Sequence, residues 1–133
     1  MIFENEHRVL PEEVDAFLVV NFSNYLKWSS ATFINYLQHK GMGLRFDHGS
    51  VEFRVARVNI VYAYSARLDD VVTIRINKLG LKAKSLDANI SVILNGKILA
   101  RARFTYAFVD ATDFSLTDTP DELIRAVNEF IVT

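Results

Sequence analysis

A chain of 133 residues can form one hydrophobic core and is too short for two ordinary domains, so we expect a single domain over residues 1–133. Its fifteen basic and sixteen acidic residues leave a formal charge of −1, which gives no strong positive field and argues against nucleic acid as a partner. The absence of cysteine excludes disulfides, a thiol nucleophile and a thiolate zinc site.

The N-terminus does not resemble a signal peptide, because MIFENEHRVLPEEVD lacks a basic flank and a long apolar run. No later segment stays apolar for the length needed to cross a membrane. We therefore expect a soluble cytoplasmic protein without a membrane partner. Half of the residues are hydrophobic, including ten Phe and five Tyr, and this supply of apolar surface indicates a pocket or a subunit interface in addition to a core.

The first part of the chain predicts a strand, a turn and a helix. Residues 4–9 can form a short strand, and the prolyl and acidic residues at 11–15 indicate a turn. Residues 24–38 have the length of a helix, carry apolar side chains on more than one side, and stop before Gly41 and Gly43. A helix that is apolar on two sides is predicted to be buried.

Hydrophobic residues alternate with polar ones from residue 51 to about residue 110, which is typical of antiparallel strands. The alternation changes phase near Ala56 and Arg57, so we predict a β-bulge there that bends the strand around the helix. Asn95-Gly96 predicts a two-residue hairpin, because both positions of a type I′ turn require a positive φ. We therefore expect four long strands in this region.

The C-terminal segment predicts a short amphipathic helix. Thr119 is the expected N-cap, Pro120 is the expected first helical residue, and Asp121 with Glu122 supplies the acidic side chains favoured in a first turn. The apolar residues of this helix continue to Phe130. The complete order predicts an α+β domain with a curved antiparallel sheet wrapped around one helix, although periodicity alone leaves the topology open.

The stretch from Asp15 to Trp28, DAFLVVNFSNYLKW, resembles the 4-hydroxybenzoyl-CoA thioesterase family and its bacterial acyl-CoA thioesterase relatives. These proteins typically carry D-x-x-G-V-V-x-x-x-N-Y-x-x-W here. The resemblance covers nearly the whole chain and includes Asp69-Asp70, which precede the predicted strand that begins near Val72. It implies a hotdog fold, in which an antiparallel β-sheet wraps around a long central α-helix. It also implies an acyl-CoA thioesterase that releases a free acid and a thiol.

The family's catalytic aspartate falls on Asp15, which would act as a general base on water or as a carboxylate nucleophile. The backbone N–H of Phe22, at the start of the helix, would polarise the thioester carbonyl. The resemblance implies no cofactor and no metal. It places substrate contacts in the loop, at the start of the helix and in a basic turn near the nucleotide of CoA: Phe17, Leu18, Val19, Asn24, Tyr25, Trp28, Lys82, Lys84 and Ser85.

The chain departs from the family pattern near this site. Phe17 and Leu18 stand where relatives usually carry small residues, often including a Gly that lets the backbone approach the substrate. Ser29 and Ser30 provide no acid on the helix, where some relatives have one. Phe22 replaces the His or Tyr common at its position. We therefore expect a reshaped or partly closed pocket mouth.

Other interpretations remain open. The run NFSNYLKW also resembles hotdog thioesterases of polyketide pathways, whose substrates are acyl-carrier-protein thioesters. A hotdog protein that binds acyl groups without turnover, or an interaction module of another α+β fold, also fits the pattern. Asp15 is alternatively a loop carboxylate that caps a turn. The histidines His7, His39 and His48 are interpreted as surface or turn residues.

A homo-oligomer is expected on geometric grounds, because a sheet wrapped around one helix leaves edges and an open side that a second copy can cover. The resemblance likewise implies a dimer or a dimer of dimers with an active site shared between subunits. The sequence does not distinguish dimer from tetramer, CoA from carrier protein, or one acyl length from another.

Overall fold

The structure, a computed structural model, describes residues 2–128. Within these residues it contains β1 (Phe3–Arg8), a 3₁₀ turn (Pro11–Glu13), α1 (Ser23–His39), β2 (Arg45–Phe46), β3 (Val51–Tyr62), β4 (Val71–Leu81), β5 (Ser85–Leu94), β6 (Lys97–Asp110) and α2 (Asp121–Val127). The predicted order of strand, helix, four long strands and short helix is confirmed, and the two-residue β2 is an addition to it.

All six strands belong to one antiparallel sheet in the order β1-β4-β5-β6-β3-β2. The sheet curls, and α1, a helix of 17 residues, packs against it with contacts to β1, β4, β5 and β6. The predicted α+β architecture is therefore confirmed as a curled six-stranded sheet with a helix against it. No helix in the described part of the chain is long and apolar enough to span a membrane.

Two local predictions about the sheet are confirmed. The register between β3 and β6 shifts between Val55 and Arg57, where the hydrophobic alternation changes phase. A bulge at this point adds one residue to β3 and bends the strand. Asn95 and Gly96 form the turn between β5 and β6 with φ angles of 50° and 78°, as a type I′ hairpin requires.

One face of α1 is buried against the sheet. Its buried residues recur at helical spacing, which places them on one side of the helix: Tyr25, Trp28, Ser29, Thr32, Phe33, Tyr36 and Leu37. Phe33 stacks on Tyr106 of β6 with ring centroids 4.2 Å apart. Leu26 also packs against the core, whereas Lys27 and Asn35 are exposed. Both apolar stripes that the sequence predicts are therefore covered, and the predicted burial of the helix is confirmed.

The start of α2 corrects one prediction. Pro120 is the N-cap, in an extended conformation, and the first helical residue is Asp121. Thr119 does not cap the helix, because its hydroxyl donates to the carbonyl oxygen of Lys82 at 2.7 Å and thereby ties the β4–β5 turn to this segment. The predicted end of the helix at Phe130 lies outside the described residues.

The outer edge of β3 is largely open. β2 pairs only with Val51 and Glu52, so residues 53–62 of β3 have no strand on that side within the described chain. The exposed apolar residues of this stretch include Val55, Val58 and Val61, which are 49%, 40% and 66% exposed. A long open edge with apolar side chains favours association with another strand.

Candidate active site

The Asp15 loop, residues 15–20, connects the 3₁₀ turn to α1 and is held by main-chain hydrogen bonds. The N–H of Asp15 donates to the carbonyl oxygen of Val19 at 2.9 Å, which closes the loop. The N–H of Val20 donates to the carbonyl oxygen of Ala66 at 3.0 Å, which ties the loop to the segment after β3. The loop therefore has a defined conformation although its tip is exposed.

The carboxylate of Asp15 is exposed and uses one of its two oxygens within the protein. Oδ1 accepts the N–H of Phe17 at 2.8 Å and the N–H of Val19 at 3.2 Å. Oδ2 has no hydrogen-bond partner among residues 2–128. The alternative interpretation of Asp15 as a turn cap is thus confirmed for Oδ1, while Oδ2 makes no hydrogen bond with the described residues.

The tip of the loop exposes large apolar side chains where the family pattern has small ones. Phe17 is 81% exposed and Leu18 is 51% exposed. Leu18 has a φ of 62°, in the left-handed region that a β-carbon disfavours and that glycine adopts freely. The leucine at this position therefore strains the backbone.

We expect Leu18→Gly to stabilise the protein by roughly 0.5 kcal/mol, because the relief of strain outweighs the additional chain entropy of glycine in the unfolded state. Denaturant unfolding measures the change. Leu44→Gly is the matched control: Leu44 is 53% exposed and does not have a positive φ, so this variant is expected to be less stable than the parent. A lower unfolding midpoint for Leu18→Gly would contradict the assignment of strain.

α1 begins without a side-chain cap. Phe22 is the N-cap residue and has helical dihedral angles. The N–H groups of Asn24 and Tyr25 donate to the carbonyl oxygens of Asn21 (3.0 Å) and Phe22 (3.2 Å), respectively. The N–H of Phe22 has no acceptor in the part of the chain that the structure describes. A free N–H at a helix start carries partial positive charge and can stabilise an oxyanion.

The other predicted site residues on α1 make contacts within the protein. Nδ2 of Asn24 donates to the carbonyl oxygen of Glu13 at 3.1 Å. Tyr25 is buried, and its hydroxyl accepts the N–H of Ala66 at 2.8 Å. Trp28 is also buried, and its indole N–H donates to Oε2 of Glu13 at 2.8 Å. These three side chains hold the start of α1 to the neighbouring segments.

A buried carboxylate, Glu13, lies two residues before Asp15 and was not singled out by the sequence. Its side chain is 2% exposed, and its Oε1 lies 2.7 Å from Nε2 of His7 and accepts the N–H of Leu10 at 2.9 Å. Burial raises the pKa of the Glu13 carboxyl, but the hydrogen bonds from His7, Leu10 and Trp28 together outweigh burial and hold the pKa below its ordinary value of 4.5. Glu13 is therefore ionised at neutral pH.

The interpretation of His7 as a surface or turn residue is wrong. His7 lies in β1, is half-buried, and places its ring centroid 4.9 Å from that of Trp28. The available signal was the alternation of β1, which puts Phe3, Asn5 and His7 on its less exposed face. His39 and His48 are exposed, as expected.

The basic turn with Lys82, Lys84 and Ser85 is distant from Asp15 in the same chain. This turn follows β4, whereas the Asp15 loop is bonded to Ala66, before β4 begins. The eleven residues of β4 separate the two places by roughly 30 Å of extended strand. Within the chain, Nζ of Lys82 lies 3.5 Å from a carboxylate oxygen of Asp87, which partly neutralises the turn.

The predicted site residues thus form two groups. The first is local to the Asp15 loop and the start of α1: Asp15, Phe17, Leu18, Val19, Phe22, Asn24, Tyr25 and Trp28. The second is the basic turn at the far end of β4. Across the described residues, no group of three or more His, Asp or Glu is arranged to hold a metal ion.

Comparison with known proteins gives one family match and many structural matches. The family model described as the thioesterase-like superfamily matches residues 9–127. No curated protein matches the chain. Similar solved structures include a 1,4-dihydroxy-2-naphthoyl-CoA thioesterase from Synechocystis, with a TM-score of 0.86 and 16% identity over 96% of both chains. A gentisyl-coenzyme A thioesterase has a TM-score of 0.80 and 20% identity over 92% of this chain and 98% of its own.

A hypothetical protein from Thermus thermophilus is similarly close in structure, with a TM-score of 0.84 and 21% identity over 96% of this chain and 98% of its own. At these identities the likeness to solved structures shows a shared fold. The curled sheet with one helix against it is the arrangement that the hotdog resemblance implies, and at this level the prediction is confirmed.

Proposed function

We propose that this chain, which belongs to the thioesterase-like superfamily and is therefore a thioester hydrolase, acts on acyl-coenzyme A and releases a free acid and coenzyme A. One observation carries the proposal: Asp15 has a carboxylate oxygen and Phe22 an N–H that make no hydrogen bond with the described residues. The oxygen can take up a proton, and the N–H can stabilise negative charge on a carbonyl oxygen. Thioester hydrolysis requires both functions.

Coenzyme A is favoured over a carrier protein because two structurally similar proteins are described as thioesterases for 1,4-dihydroxy-2-naphthoyl-CoA and gentisyl-CoA. Both names denote aromatic acyl groups. Phe17 and Phe22, which are 81% and 69% exposed, offer flat apolar surfaces on which an aromatic acyl group can pack. An aromatic acyl-CoA is therefore the substrate class that we propose.

In the proposed reaction, the thioester carbonyl oxygen accepts a hydrogen bond from the N–H of Phe22 while Oδ2 of Asp15 takes a proton from water. The water oxygen adds to the carbonyl carbon, the C–S bond breaks, and the departing thiolate recovers the proton from Asp15. Alternatively, Oδ2 itself attacks the carbonyl carbon, displaces the thiolate and forms a mixed anhydride that water then hydrolyses. Neither route uses a cofactor or a metal.

The remaining site residues take different proposed roles. Phe17, Leu18 and Val19 line the approach to Asp15 and contact the acyl group or the thiol arm. The polar groups of Asn24, Tyr25 and Trp28 are already engaged within the protein, so these residues support the loop and the start of α1 from inside.

We also propose that the protein is a homodimer joined along the open edge of β3, residues 53–62. Main-chain N–H and C=O groups on an open edge can pair with another strand, and a second copy would cover Val55, Val58 and Val61. In such a dimer each curled sheet surrounds its own α1, as in the hotdog fold that the family resemblance implies. Two such dimers could pair further into a tetramer, because the dimer uses only the β3 edge of each chain.

The dimer would bring together the two separated groups of site residues. Twofold pairing of β3 strands is antiparallel, so the Tyr62 end of one strand lies beside the Val51 end of the other. Ser85 is at the Val51 end of the sheet, because it pairs with Ala107, which pairs in turn with Arg54 of β3. The basic turn of one copy would thus approach the Asp15 loop of the other and provide contacts to the phosphates of coenzyme A.

The mass in solution is expected to be twice that of one chain, as measured by light scattering after size exclusion. Val58→Lys puts a charge on the open edge and is expected to give monomers with reduced hydrolysis, because like charges would meet across the interface. Val71→Lys is the matched control, since Val71 of β4 is 41% exposed and Val58 is 40% exposed. A fully active monomer at assay concentration would contradict the shared site.

The test of the function is a panel of short aliphatic, long aliphatic and aromatic acyl-CoAs, with acyl-carrier-protein thioesters alongside. Released thiol can be read with a chromogenic thiol reagent, and the enzyme adds no background because it contains no cysteine. The highest kcat/KM is expected for an aromatic acyl-CoA. Faster turnover of the carrier-protein thioesters would identify the carrier-protein enzyme instead, and retention of acyl-CoA without thiol release would identify a binding protein.

A further inference from the structure

We propose that Tyr62, at the end of β3, is a positioning residue that orients the N–H of Phe22 for oxyanion stabilisation. The proposal rests on the proposed function, because it assigns Tyr62 a task only if Phe22 polarises a thioester carbonyl. Nothing in the loop pattern indicates this residue, which follows Phe22 by forty positions in the chain.

Tyr62 makes three contacts with the first turn of α1. Its hydroxyl donates to the carbonyl oxygen of Phe22 at 3.1 Å. Its ring packs edge-on against the ring of Phe22, with centroids 6.1 Å apart, and against the ring of Tyr25, with centroids 5.5 Å apart. Tyr25 is itself fixed, because it is buried and accepts the N–H of Ala66. Tyr62 therefore connects an exposed residue to a rigid part of the fold.

The ring and the carbonyl of Phe22 have few restraints other than Tyr62. Its side chain is 69% exposed, and no side chain caps the helix at this position. Its carbonyl oxygen accepts one helical hydrogen bond, from the N–H of Tyr25 at 3.2 Å, and the second from Tyr62. The N–H of Phe22 lies in the same peptide plane as the Asn21 carbonyl, which accepts the N–H of Asn24 at 3.0 Å. Tyr62 holds the following peptide plane and the ring of Phe22, so the two sets of contacts together fix the Phe22 Cα and the direction of its N–H. Oxyanion stabilisation depends on that direction, because the donor must point at the place where charge develops.

Tyr62 remains a donor throughout the neutral range. Partial burial raises the pKa of its hydroxyl above the ordinary value of 10.0, so the proton that bonds to the Phe22 carbonyl is retained. Removal of this hydroxyl eliminates the hydrogen bond to the Phe22 carbonyl and leaves the ring contacts in place. The expected consequence is a weaker transition-state interaction with unchanged substrate binding.

The experiment compares Tyr62→Phe with Tyr64→Phe in the full-length protein. Tyr64 is 54% exposed, and its hydroxyl has no hydrogen bond in the described structure, which makes it a matched control. We expect Tyr62→Phe to lower kcat for the best acyl-CoA about tenfold with KM unchanged, because small displacements of a catalytic donor are costly. The melting temperature should change little. Tyr64→Phe should match the parent in all three quantities.

A second measurement shows whether the contact itself is lost. The amide nitrogen of Ser23 is bonded to the Phe22 carbonyl carbon, so its NMR shift should move in Tyr62→Phe and not in Tyr64→Phe. A moved Ser23 shift with an unchanged kcat would overturn the positioning role, as would a rise in KM in place of the fall in kcat. Replacement of Tyr62 by 3-fluorotyrosine, which keeps the donor, should retain the parent kcat.

The measurements distinguish a failure of the Tyr62 proposal from a failure of the proposed function. If the parent hydrolyses acyl-CoA, Asp15→Asn does not, and Tyr62→Phe equals the parent, only the role of Tyr62 is wrong. If the parent hydrolyses no thioester in the panel, the proposed function is wrong, and a moved Ser23 shift would then identify the Tyr62 contact as structural only.

Discussion

Replacement of Asp15 by asparagine is expected to lower kcat by roughly 10³-fold, because the side chain can no longer accept a proton or attack a carbonyl. The fold should be preserved. Asparagine keeps a carbonyl oxygen in the place of Oδ1, which accepts the N–H groups of Phe17 and Val19. Thiol release from the best acyl-CoA measures the activity, and thermal unfolding measures stability.

Two further variants separate chemistry from loop structure. Asp15→Ala should lose the same activity and about 1 kcal/mol of stability in addition, since it also removes the turn cap. Asp110→Asn is the control, because Oδ1 of Asp110 accepts the N–H groups of Thr112 and Asp113 in a similar capped turn. It should leave activity unchanged. Hydrolysis by Asp15→Asn at the parent rate would exclude Asp15 as base or nucleophile.

Glu13→Gln is expected to reduce the free energy of unfolding by about 3 kcal/mol, because it replaces a buried, hydrogen-bonded carboxylate by a neutral group with one acceptor fewer. The amide nitrogen of glutamine would face either the N–H of Leu10 or that of Trp28 and leave this donor unsatisfied. Urea unfolding measures the loss. Glu12→Gln, at the exposed neighbouring position, should change stability little, and equal losses in the two variants would argue against the network.

The same carboxylate predicts a loss of stability in acid. The pKa of Glu13 is lower in the folded protein than its ordinary value of 4.5, so the folded state favours the ionised form. This contribution is complete above pH 4.5 and is lost as the pH falls through the lower folded pKa, where the unfolded chain binds the proton first. The difference in stability between the parent and Glu13→Gln should therefore shrink as the pH falls from 4.5 through the folded pKa. A constant difference down to pH 3 would contradict this assignment.

Most of the sheet could be predicted because its signals are local. The phase change near Ala56 located the bulge, and Asn95-Gly96 located the hairpin, since a two-residue period and a requirement for positive φ are properties of a few neighbouring residues. The cap of α2 was misplaced by one residue because the hydroxyl of Thr119 is used by Lys82, a contact across 37 positions. A local pattern contains no information about such a competitor.

The candidate site likewise contains residues that a local pattern predicts and residues that depend on contacts between distant segments. One short motif predicts Asp15 and Phe22 as site residues, whereas no local pattern indicates Glu13, His7 or Tyr62. Each of these three acts through contacts between separate elements: Glu13 bonds to Trp28 of α1 and lies beside His7 of β1, and Tyr62 bonds from the end of β3 to Phe22. Residue type does not identify them, because Glu is usually exposed and His and Tyr occur both on surfaces and in cores.

The sequence by itself determined the order of the long elements, the antiparallel alternation and the family, because all of these depend on the spacing of side chains along the chain. Only the tertiary structure decided that Glu13 is buried against Trp28, that β3 has an open edge, and that the basic turn lies at the opposite end of β4 from the Asp15 loop. The physical reason is that burial and hydrogen bonding in the folded state are set by which distant segments meet, and the curled sheet brings those segments together.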